Sequence, residues 1–213
     1  MLWIFDSKKF ANVTKLEGKV DVYEDRLGSY LMQICSQDMA KSDSRDTVEI
    51  FHCIGNFERI SDHAIDLCES SEELKDKQIK FSSIAESQIN VLSNAIKEIL
   101  EKTVKAFNET DVELAKEIEP LEQVVDGIIS QIRKGHIDRL QTGDCTIEFG
   151  FILSDMLNDF ERISDHCSNI AVAVIESNSK HFDSHKYLNS VKHGDEFFDK
   201  TFNEFKEKYK LNV

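Results

Sequence analysis

Seven consecutive residues occur twice in this chain. Phe57-Glu58-Arg59-Ile60-Ser61-Asp62-His63 returns unchanged as Phe160-Glu161-Arg162-Ile163-Ser164-Asp165-His166, an offset of 103 residues. Upstream of each copy, Leu16-Glu17 with Val20-Asp21 returns as Leu121-Glu122 with Val125-Asp126, an offset of 105. Two landmarks at nearly one offset mark a duplication of about 105 residues. The fold must therefore be built from two copies of one supersecondary unit. The chain divides into a first unit over residues 1–80, a second over 81–178 and a tail over 179–213, with the boundary in the polar stretch 72–80.

Both units read as helices. Apolar residues recur at spacings of three and four, which puts them on one helical face. Val13, Leu16, Val20, Tyr23, Leu27 and Ile34 form one stripe, and Ile50, Cys53, Phe57, Ile60, Ala64 and Leu67 another. The second unit has three: Ile89, Leu92, Ile96, Ile99; then Leu114, Ile118, Leu121, Val125, Ile128, Ile132; then Phe149, Leu153, Met156, Phe160, Ile163, Cys167, Ile170, Val174. One proline and eight glycines are too few for the regular turns of an all-β chain. The breaks fall at 41–44, with Asp43 or Ser44 as a cap, at 108–111 and at 141–144, and links this short force antiparallel neighbours. Pro120 interrupts a continuous stripe, so a kink is expected there. In the tail, a helix from Asp195 carries Phe198, Phe202, Phe205 and Tyr209, a packing stripe. The fold class is all-α: two tandem antiparallel three-helix bundles. The helix that opens the second unit, at about 83–107, has no full counterpart in the first. The first unit therefore lacks its opening helix: either the chain is trimmed from a longer one, the favoured reading, or another segment fills the gap, and a two-helix unit by itself exposes one apolar face.

Composition narrows the function. The 40 acidic against 26 basic residues give a net charge of −14, which repels nucleic-acid phosphates and disfavours direct anion capture unless a cation bridges it. No apolar run reaches the roughly 18–20 residues of a membrane span. The five scattered cysteines include no C-x-x-C pair, so neither a disulfide framework nor a cysteine zinc site is expected, and Cys53 and Cys167 fall on core stripes.

Each unit places two acidic pairs at i, i+4: Glu17 with Asp21 and Glu58 with Asp62, then Glu122 with Asp126 and Glu161 with Asp165. That spacing puts both carboxylates on one helical face, where like charges repel unless a cation intervenes. Hard and borderline cations such as Mg²⁺, Mn²⁺ and iron favour oxygen ligands. Among 40 acidic residues in 213, about seven such pairs arise by chance, so a single pair says nothing. The four stand out by recurring at one position of a duplicated unit, beside the apolar stripes, where a site would lie open on the outer surface. Arg59 and Arg162 read either as ion-pair partners or as groups orienting a ligating carboxylate. His63 and His166 read as packing or polar-face residues. Glu58 and His63, like Glu161 and His166, stand five apart and so fail the Glu-x-x-His template of a di-iron enzyme; with no nucleophile–histidine motif and no phosphate-cradling glycine loop, a hydrolase is disfavoured. A metal-free docking scaffold remains as the alternative.

Glu-x-x-x-Asp on one helix followed by Glu-Arg-Ile-Ser-Asp-His on the next, twice in one chain, resembles the PhoU family over about residues 6–178. The resemblance implies two pseudo-symmetric three-helix bundles in a regulator of phosphate uptake and phosphate signalling that is not an enzyme. It implicates Glu17, Asp21, Glu58, Asp62, Glu122, Asp126, Glu161 and Asp165 as ligands of a multinuclear iron cluster, or of Mn²⁺, Mg²⁺ or Zn²⁺, on the bundle surface. The tail, ending Phe205-Lys206-Glu207-Lys208-Tyr209-Lys210-Leu211, is similar to the end of bacterial Na⁺/phosphate cotransporter family proteins, in which a PhoU-like domain follows the membrane domain on the cytoplasmic side. The implied partner is a membrane phosphate transporter, in cis or in trans, with inorganic phosphate reaching the domain through bound metal. The implied location is the cytoplasm at the inner face of the membrane, and self-association is a further option.

Overall fold

The computed structural model describes residues 5–37, 41–143, 145–178 and 196–211, with the side chains of 41–46 outside that set. Seven helices account for the described secondary structure: α1 (Ser7–Cys35), α2 (Lys41–Asp76), α3 (Ser83–Glu109), the single turn α4 (Val112–Ala115), α5 (Ile118–Thr142), α6 (Ile147–Ser177) and α7 (Glu196–Lys208). Side-chain caps set several starts. Asp6 accepts from the Lys8 and Lys9 N–H groups, Ser82 from Ala85, Asp111 from Leu114 and Thr146 from Phe149. Gly143 ends α5 with φ of 78°, a left-handed position that costs glycine nothing.

Two boundaries differ from the expectation. The α2 backbone is already helical at Lys41, so Asp43 and Ser44 lie inside the helix rather than before it. Pro120 produces no kink within a continuous helix. The chain breaks earlier, at 116–117, and Pro120 falls in the first turn of α5. There its missing N–H has no intrahelical partner to lose. Asp144 and residues 179–195, including the expected helix start at Asp195, lie outside the described residues.

The second unit is a closed three-helix bundle. Its core is formed by Ile89, Leu92 and Ile99 of α3, Leu121, Val125 and Ile132 of α5, and Leu153, Met156 and Cys167 of α6, all essentially inaccessible. Burial pushes the Cys167 thiol up to about 12 and the Cys53 thiol to about 11, as packed, unreactive cysteines require. The first unit is a pair, α1 on α2; α6 packs on α2, but among the described residues no helix other than α2 makes more than a marginal contact with α1. Leu16, Tyr23 and Leu27 are 50%, 64% and 44% exposed, whereas their repeat counterparts Leu121, Ile128 and Ile132 are 0%, 3% and 0%. α7 does not fill the gap. It packs on α5 of the second unit, and its end is held by Lys208 and the Tyr209 hydroxyl, both bonded to Glu98 of α3.

The two units meet through their motif helices. α2 and α6 form the largest helix contact of the molecule. They run antiparallel about a pseudo-two-fold axis: the His63 and His166 rings stack at 5.9 Å, Nδ1 of His63 meets Asp159 Oδ1 at 3.1 Å, and Nδ1 of His166 meets Asn56 Oδ1 at 2.9 Å. Asn56 and Asp159 are themselves one repeat offset apart, so the axis relates the two pairs.

One close approach explains a glycine. A Cβ on Gly150 would lie 2.6 Å from Nε2 of His136, a buried ring whose Nδ1 sits 3.4 Å from Cys145 Sγ. Gly150→Ala is expected to destabilise the protein by about 1–3 kcal/mol in urea titration. In the Gly150→Ala/His136→Ala double variant the two costs should add to less than their sum; strict additivity would contradict the contact.

Candidate functional site

The duplicated acidic residues face one another across each α-hairpin, but only in the first do three of them come within metal-ligand distance of one another among the described residues. In the first, α1 supplies Glu17 and Asp21 and α2 supplies Asp62, with one ligand oxygen of each within 4.8 Å of the others. Glu58, one turn earlier on α2, hydrogen-bonds to Asp62 rather than joining that trio. Desolvation, followed by the Asp62 charge and that hydrogen bond, raises the Glu58 carboxyl above the ordinary range, with Arg59 opposing. Desolvation and then Asp21 raise Glu17. This cluster is open to solvent, as expected.

The second cluster lies between α5 and α6. Burial, followed by the Glu161 and Asp165 charges, pushes the Asp126 carboxyl up. Burial also raises Asp165, with Arg162 opposing it and Glu161 adding to it. Asp126 therefore feels both acids of the facing helix, the juxtaposition that the repeat arithmetic called for. Its Oδ1 is buried and has no hydrogen-bond partner among the described residues. An orphaned carboxylate oxygen in a ring of acids fits a cation better than it fits any neutral neighbour. Glu122 is only 7% exposed, so this cluster is more enclosed than the outer-surface position expected for all four pairs. The reason is that α5 is covered on its apolar side, whereas α1 is not.

The structure adds groups that the sequence reading missed. Glu119, also 7% exposed, accepts from the Ser168 hydroxyl at 2.5 Å and lines a cleft of about 320 Å³ with Glu122, Gln123, Asp165 and Ser168. Its signal was present, because positions 119, 122 and 126 share one helical face. The repeat hid it, because its counterpart in the first unit is Thr14. Arg133 of α5 reaches across to Glu161 Oε2 at 2.9 Å and Asn158 Oδ1 at 2.7 Å. Arg162 pairs with Asp165 at 3.2 Å within its own helix and is largely exposed, a surface ion pair of about 0–1 kcal/mol. The two histidines stack on each other at the interface between units rather than inside either bundle, and each uses its Nδ1 on a polar group of the facing helix.

The family description "PhoU domain" matches residues 4–71 and 89–174. A relative from Thermotoga maritima, "Phosphate-specific transport system accessory protein PhoU homolog 1", is 28% identical over 131 residues, which is 62% of this chain and 56% of that protein. The crystal structure of PhoU from Pseudomonas aeruginosa superposes with a TM-score of 0.74 at 21% identity, covering 81% of this chain and 82% of that one.

Proposed function

The chain belongs to the PhoU domain family, and from that premise we propose that it is a regulator of phosphate transport whose two carboxylate clusters hold metal ions. The relative from Thermotoga maritima is an accessory protein of a phosphate-specific transport system by name. That name supports a regulatory rather than enzymatic role for this chain. The observation that carries the metal reading is the orphaned Oδ1 of Asp126 among Glu122, Glu161 and Asp165. Glu17, Asp21, Glu58 and Asp62 would hold the ions of the first cluster, and Glu122, Asp126, Glu161 and Asp165, with Glu119 beside them, those of the second. Bound cations would reverse the local charge and let an anion as acidic-averse as phosphate approach a −14 chain.

The partner on this reading is a membrane phosphate transporter, engaged on its cytoplasmic side. No helix among the described residues is long and apolar enough to cross a membrane, so the membrane portion must come from elsewhere. The similarity of the tail to Na⁺/phosphate cotransporter family proteins favours a transporter of that kind. The exposed α1–α2 face is the surface available to it. Radiolabelled phosphate uptake tests the reading in cells whose own copy carries Glu122→Gln/Glu161→Gln. Uptake that no longer falls when external phosphate is raised supports it. Uptake and its phosphate response identical to wild type would overturn it.

A further inference from the structure

The pseudo-two-fold interface between α2 and α6 carries two equivalent positions with different chemistry. On one side His166 meets Asn56 at 2.9 Å, and Asn169 donates to the same amide oxygen at 3.4 Å. On the other side the repeat substitutes carboxylates. Asp159 stands where the first position has Asn56, and Asp66 where it has Asn169. The amide set satisfies itself by hydrogen bonds. The carboxylate set does not: Asp159 Oδ1 at 3.1 Å and Asp66 Oδ2 at 3.5 Å converge on one atom, Nδ1 of His63. That nitrogen carries at most one proton, so it cannot donate fully to both oxygens.

One ligand atom from each of His63, Asp66 and Asp159 lies within 4.8 Å of the other two. A tetrahedral ion with bonds of about 2.1 Å holds its ligands about 3.4 Å apart. The two nitrogen–oxygen separations, 3.1 and 3.5 Å, lie close to that span. Asp159 is buried, His63 is partly covered, and Asp66 stands at the mouth of a groove lined by Glu69, Glu73, Asp155 and Asn158. The groove's acids would draw a cation in, and its open side leaves a fourth position for water.

We propose that His63, Asp66 and Asp159 form a third cation site, separate from the two carboxylate clusters, for a single borderline divalent ion such as Zn²⁺. The mixed nitrogen–oxygen donor set suits Zn²⁺ better than Mg²⁺ or Ca²⁺, which favour oxygen alone. The site joins the two units, so an ion there cross-links α2 to α6. Only one half of the pseudo-symmetric pair has it.

The test is a Zn²⁺ titration of the full chain, followed through the ring nitrogens of ¹⁵N-labelled histidine by NMR. Saturating Zn²⁺ should move Nδ1 of His63 to a metal-bound shift and leave Nδ1 of His166 in place. Asp66→Asn/Asp159→Asn copies the amide half, so it preserves shape, and should abolish the His63 shift. Asn56→Asp/Asn169→Asp should install the same shift at His166. The readout sits on an imidazole, so it is blind to whether the carboxylate clusters bind metal. A His63 Nδ1 that stays put at saturating Zn²⁺, or that shifts equally in the Asp66→Asn/Asp159→Asn protein, overturns the proposal.

Discussion

Replacing Leu121 with alanine is expected to lower folding stability by about 2–5 kcal/mol, while the same change at Leu16 lowers it by less than about 1 kcal/mol. The two leucines occupy one position of the duplicated unit, each followed by a motif glutamate. Leu121 is sealed between α3 and α6, so its removal leaves a cavity that the bundle cannot close. Leu16 is half exposed on α1, with no third helix over it among the described residues. Urea titration of both variants at one low protein concentration measures the difference. Equal, large costs would mean that the α1 stripe is covered in solution, and the two-helix description of the first unit would then be wrong.

The second large effect concerns charge. At a hundredfold excess over its Kd, a cation that binds only the folded state adds about 2.7 kcal/mol. For a chain of this size that corresponds to a Tm rise of roughly 5–10 °C. Mn²⁺ added to chelator-treated protein is expected to produce such a rise. Asp126→Asn is expected to act in opposite directions with and without metal. Without metal it removes a partly buried carboxylate whose pKa is raised by burial and by Glu161 and Asp165, so the variant should melt no lower than wild type near neutral pH. The sign follows from linkage: a carboxyl with a raised folded-state pKa costs stability once pH rises above its unfolded value. With Mn²⁺ present, the variant should lose most of the gain. Differential scanning calorimetry with and without Mn²⁺ reads both arms. A variant that gains as much from Mn²⁺ as wild type removes Asp126 from the ligand set.

The helices were legible because their stripes are long and the duplication doubles each signal. The same duplication picked eight carboxylates out of forty acidic residues; the structure brings Glu17, Asp21 and Asp62 within ligand distance of one another and sets Asp126 against Glu161 and Asp165 across α5 and α6. What it concealed was whatever the units do not share. Glu119 has threonine as its counterpart, and Asp159 and Asp66 have asparagines, so a search for repeated acids passes over all three. Arg133 escaped notice because an ion pair between helices depends on their rotation, which no spacing within one helix encodes. Pro120 was misread for a local reason. The apolar stripe continues through residues 114–132 whether or not the backbone does, because α4 and α5 bury residues against the same core. The tail's aromatic stripe predicted packing but not the surface it packs on. α7 chose α5, and the exposed face of α1 stayed exposed.

If the repeated carboxylates bind metal, the protein carries it through purification. The most direct measurement is metal content by mass spectrometry on protein purified without chelator, beside Glu161→Gln/Asp165→Asn prepared the same way. Two or more ions per chain are expected in the wild type and fewer in the variant. Wild-type protein that carries no metal even after loading with iron, Mn²⁺ or Mg²⁺ would contradict it and leave a helical docking module with solvated acidic faces.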